Sequence, residues 1–79
     1  MTREQLILEM ERCNTLPYFD MRAAQLDPPC PVLGEFRHRA AERYVNYLRM
    51  DIDTAGTEMY KKVRGDELEA VLREYPYLR

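Results

Sequence analysis

The sequence predicts a small all-α protein: a bundle of four to five helices in a single domain spanning residues 1–79. Three observations predict it. Apolar residues recur at helical spacing through most of the chain. Helix-start signals stand at Thr2 and Thr57. The prolines fall where helices must begin or end, with three of the five inside Pro28-Pro29-Cys30-Pro31.

Thr2-Arg3-Glu4-Gln5 fits a capping box, in which Thr2 accepts from the Gln5 amide and the Gln5 side chain reaches back. Leu6, Ile7, Met10 and Cys13 follow on one face, Leu8 points away, and the helix fades near Asn14. Pro17 suits the first turn of a second, shorter helix over Pro17–Leu26, because its missing N–H costs nothing there. Its apolar residues lie all round. Residues 27–34 form a proline-rich connector: proline lacks an amide and pushes the preceding residue out of the helical region.

Gly34–Ile52 is the strongest helix. His38, Arg39, Glu42, Asn46 and Arg49 share its polar face, with Glu42 in pairing reach of His38 and Arg39. Phe36, Ala40, Tyr44 and Tyr47 form one apolar stripe; Ala41, Val45, Leu48 and Ile52 form another. So wide an arc fits a central helix with neighbours on two sides, or a helix with one stripe left for a partner. Thr57 caps a further piece through Val63. Leu68, Val71, Leu72 and Tyr75 then recur at i, i+3, i+4 and i+7, about half a turn out of phase with Met59 and Val63. A straight helix would split its apolar face, so a break is expected near Gly65, with Asp66 capping the last helix. Pro76 stops that helix, and Tyr77-Leu78 forms an apolar tail expected to fold back. The expected core is Leu6, Met10, Ala41, Val45, Leu48, Leu68 and Leu72.

With 46% hydrophobic and 33% charged residues, the chain is too apolar for a disordered one. A chain this short has a thin stability margin. A net charge of −2 argues for neither nucleic acid nor an acidic membrane. The first residues lack a signal-peptide layout and no apolar run could span a bilayer, so a cytoplasmic protein is expected. Cys13 and Cys30 are then expected as free thiols, although a disulfide between them is geometrically possible.

No catalytic set stands out, and no enzyme is expected. Cys13, Cys30 and His38 match no zinc spacing, so neither metal nor cofactor is expected. His38 with Glu42 on an exposed face makes no pocket for acid–base work, and a Cys30 nucleophile lacks an oxyanion hole. Arg64-Gly65-Asp66 spells an adhesion tripeptide but reads better as a helix break followed by a cap. Arg37, Arg39, Arg43 and Arg49 scatter over more than half the circumference of the central helix, whereas a recognition helix gathers its contacts on one face. Lys61, Lys62 and Arg64 make a second basic group.

Six tyrosines and no tryptophan carry the best functional hint, since tyrosine is enriched at interfaces. The expected function is a small cytoplasmic protein–protein interaction module: an adaptor, modulator or inhibitor that occupies a partner protein's surface, or a homodimer. The interface candidates are Phe36, Tyr44 and Tyr47, with Leu8, Tyr60 and Tyr77 as extensions. Short chains of this description are common in phages and mobile elements, where they block a host machine in the host cytoplasm. The alternative is a nucleic-acid-binding or nucleoid-associated module using the Arg and Lys groups. Met10-Glu11-Arg12-Cys13-Asn14-Thr15 and the helix order slightly resemble the Hha/YmoA nucleoid modulators, which act by binding a DNA-organising partner. That likeness covers six residues and assigns no residue roles.

Overall fold

The computed structural model describes residues 2–79. Among them are four α-helices and no strand: α1 (Arg3–Glu11), α2 (Leu16–Ala23), α3 (Leu33–Asp53) and α4 (Glu58–Glu74), followed by a short 3-10 turn, Pro76–Leu78. The chain divides into two compact units, the first ending at Arg43 and the second Tyr44–Arg79.

In the first unit the capping box forms as its residues dictate. The Gln5 amide donates to Thr2 Oγ1 at 3.2 Å, and the Thr2 amide donates to Gln5 Oε1 at 2.9 Å. The far end of α1 is closed from a distance. Arg43 Nη1 donates to the carbonyl of Glu11 (3.0 Å), one of the groups that a helix end leaves unpaired, and to that of Cys13 just beyond it (3.2 Å). α2 starts one residue earlier and ends three earlier than the periodicity predicts, and Leu26 is buried outside it. Residues 24–32 are turns, bends and irregular chain, with a cis Asp27-Pro28 bond. α3 begins at Leu33, so Leu33 and Gly34 belong to the helix rather than to the predicted connector. Arg37 grips Asp20 with two bonds, Nε to Oδ1 at 2.8 Å and Nη2 to Oδ2 at 3.1 Å. Leu6, Met10, Cys13, Leu16, Phe19, Leu26, Ala40 and Ala41 are this unit's buried apolar residues.

The second unit holds Tyr44, Val45, Leu48, Val71 and Leu72 buried, while Leu68 is half-buried. Thr57 caps α4 by accepting from the Tyr60 amide at 3.2 Å. The expected break at Gly65 is absent. α4 runs unbroken through Gly65 and Asp66, so Asp66 caps nothing. The phase shift read from the sequence is real, but the chain resolves it differently. The helix stays whole and leaves Met59 79% and Val63 52% exposed. α4 stops before Pro76, and the tail folds back. Arg79 Nη2 meets Glu69 Oε1 at 2.6 Å, and Arg49 Nη2 donates to the Leu78 carbonyl at 3.3 Å. The Arg79 guanidinium, chiefly by that hydrogen bond, holds the Glu69 carboxyl below its ordinary range.

Candidate functional site

Arg64 is the hub of the second unit. Its position on α4 places it on the side of Val71, facing the C-terminal half of α3. Its Nε lies 2.8 Å from Asp51 Oδ2 and 3.2 Å from the Tyr60 hydroxyl, and its Nη1 lies 3.0 Å from Glu67 Oε2. Tyr60 in turn donates to Asp51 Oδ2 at 2.5 Å. From α3, the Tyr44 hydroxyl donates to Glu67 Oε2 at 2.6 Å. The Arg64 guanidinium carbon sits 5.4 Å from the Tyr60 ring centre and 5.9 Å from that of Tyr47, within cation–π range of both. Tyr44 and Tyr47 lie nearly parallel, 6.4 Å between centres.

The electrostatics follow from this crowding. The hydrogen bond to Tyr60, with Glu67 adding to it, holds Arg64 more firmly protonated than a free arginine. Burial, then the bond to Glu67, pushes the Tyr44 phenol up to about 12. The cluster therefore keeps one cation between two carboxylates, framed by three phenols.

The structure brings three of the six sequence candidates together here. Tyr47 and Tyr60 are 46% and 39% exposed and flank Arg64. Tyr44 is buried, with its hydroxyl bonded inside the unit. It belongs to the packing rather than to an accessible surface, although it shares a stripe with Tyr47. Its position is rotated about 60° further toward the core than Tyr47. Tyr77 is exposed and meets Tyr75 edge-on at 6.0 Å. Leu8 and Phe36 lie in the first unit. Leu8 is exposed and lines an open groove of about 520 Å³ beside Glu9, Arg12 and Tyr18, and Phe36 is half-buried.

Arg64 was missed as a hub because only the meeting of α3 and α4 reveals its partners. Its spacing four after Tyr60 and three before Glu67 was the available signal. Arg37, Arg43 and Arg49 are likewise engaged inside the fold, which the sequence read as a scattered basic group.

Among the described residues no three of His, Cys, Asp and Glu are grouped to hold a metal ion, and no helix is long and apolar enough to cross a membrane. Cys13 and Cys30 are both free thiols, with Cys13 Sγ donating to the Thr15 carbonyl at 3.0 Å. No family model, curated protein or solved structure matches this chain.

Proposed function

We propose that this chain is a small protein–protein interaction module, an adaptor, modulator or inhibitor that works by occupying a partner protein's surface. The observation that carries the reading is the half-buried Arg64 held between the exposed rings of Tyr47 and Tyr60. Tyrosine and arginine dominate interface hot spots, and a hot spot works best when it is held rigid before binding. Asp51 and Glu67 hold this arginine in place. Met50, three residues after Tyr47, is also exposed and would widen the apolar area. The excess of carboxylate over guanidinium favours a partner with a cationic group beside an apolar one.

The nucleic-acid reading loses weight because four arginines are committed to internal bonds, leaving fewer for phosphates. The test is affinity capture from the source cell or its host, with and without nuclease, repeated with variants and then with the purified partner. Tyr47→Ala and Tyr60→Ala should each weaken binding by on the order of 2 kcal/mol while helical circular dichroism is kept. Arg39→Ala, on the polar face, should do much less. Recovery that depends on nucleic acid, falls steeply with salt and is lost in Arg39→Ala would replace this reading with the nucleic-acid one.

A further inference from the structure

The outer face of α4 carries a pattern that the Arg64 cluster does not use. Met59, Val63, Asp66 and Ala70 recur at spacings of four, three and four, the seam of a heptad. All four are exposed. Lys62 and Glu69 border this seam on one edge, Tyr60 and Glu67 on the other. We infer that the protein self-associates through this face, as an antiparallel two-fold pair of α4 helices in which Lys62 of each copy meets Glu69 of the other.

Charge complementarity selects both the occupant and the direction. Placing the axis between Arg64 and Gly65 sets Met59 over the second copy's Ala70 and Val63 over the aliphatic carbon of its Asp66. The edge pairs of an antiparallel coil then match Lys62 with the second copy's Glu69, and symmetry repeats that pair at the other end. Within each copy Arg79 holds Glu69 Oε1 at 2.6 Å, which leaves Oε2 for the second copy's Lys62 in the inferred pair. A parallel pair would instead bring the two Asp66 carboxylates together in one layer, an arrangement like charges oppose. α4 is 17 residues long, about 25 Å at 1.5 Å per residue. With only two large apolar residues in the seam and Asp66 in its middle, the pair falls at the small end of interface sizes, so the association is weak and reversible.

The experiment is sedimentation equilibrium on the full chain up to about 1 mM, the range in which weak pairs form. The average mass should rise with concentration from 9.5 kDa toward twice that. Lys62→Glu and Glu69→Lys should each weaken the pair by about tenfold or more through like-charge opposition, and the double exchange should recover most of that loss. Shifts in the wild-type amide spectrum on dilution should map to the Met59–Ala70 face, a readout that needs no variant. A mass fixed at that of the monomer overturns the inference. So do dilution shifts confined to other helices, or a double exchange that stays as weak as the single variants while remaining helical.

Discussion

Replacing Tyr44 by Phe keeps the ring and removes one hydroxyl. That hydroxyl donates to Glu67 Oε2 at 2.6 Å from a residue only 5% exposed. A hydrogen bond to a charged acceptor contributes about 1.5–3 kcal/mol. Glu67 is 38% exposed and keeps its bond to Arg64, so the lower end applies, and Tyr44→Phe should cost about 1–2 kcal/mol. The pH dependence supplies a second handle on the same interaction. Burial and Glu67 raise the phenol from 10.0 to about 12. The fold therefore favours the neutral phenol. Its contribution is whole below pH 10 and is lost as the pH climbs toward 12. A rise of that size corresponds to roughly 2–3 kcal/mol, with burial of the phenol the larger cause and the Glu67 bond the smaller one. Urea unfolding followed by circular dichroism, near neutral pH and again at about pH 11, measures both. The wild type should lose its advantage over Tyr44→Phe as the pH rises. Equal stability at neutral pH, or two curves that fall in parallel above pH 10, would refute the reasoning.

Three further outcomes are expected. Gly65→Ala should stabilise the protein by about 0.5–1 kcal/mol in thermal or urea unfolding, because Gly65 lies inside a continuous helix with nothing within 4 Å of an added Cβ; a loss of stability would restore the helix break. Leu48→Ala, at a position with no exposure, should cost about 2–5 kcal/mol, read as a fall in the thermal midpoint. Both cysteines should titrate with a thiol reagent in denaturant without reductant, and in the native state half-buried Cys30 should react before buried Cys13.

Much of the local structure was legible because local chemistry decides it. The Thr2 capping box and the Thr57 cap each depend on residues within three positions, and both form. In the stripe of Ala41, Val45, Leu48 and Ile52, the first three are buried as their spacing required, and Ile52, near the end of α3, is half-buried. Where the reading failed, a local rule was given more force than it has. A split apolar face predicts a break near Gly65, yet α4 is continuous and leaves Met59 and Val63 exposed. Exposing two apolar side chains on an intact helix evidently opposes folding less than disrupting its backbone ladder. The Tyr47 stripe shows a different limit. Spacing grouped Tyr44 with Tyr47, yet burial separates them, because a neighbouring helix covers part of an arc and spacing does not say where its edge falls. The Arg64 cluster was legible only in part: Tyr60 and Glu67 lie within four residues of Arg64 on α4, whereas Asp51, Tyr44 and Tyr47 come from α3 and no local spacing reaches them.

The dividing line between the two compact units runs through the middle of α3, between Arg43 and Tyr44. Helical geometry makes the amides of Tyr44 to Tyr47 bond back to the carbonyls of Ala40 to Arg43, so the ladder itself crosses that line. Solvent deuterium reaches those amides only when the ladder opens, and opening it disturbs a buried residue on each side, Ala41 before and Val45 after. These mid-helix amides should therefore exchange more slowly than those at the ends of α1 and in the chain tail, which exchange by fraying.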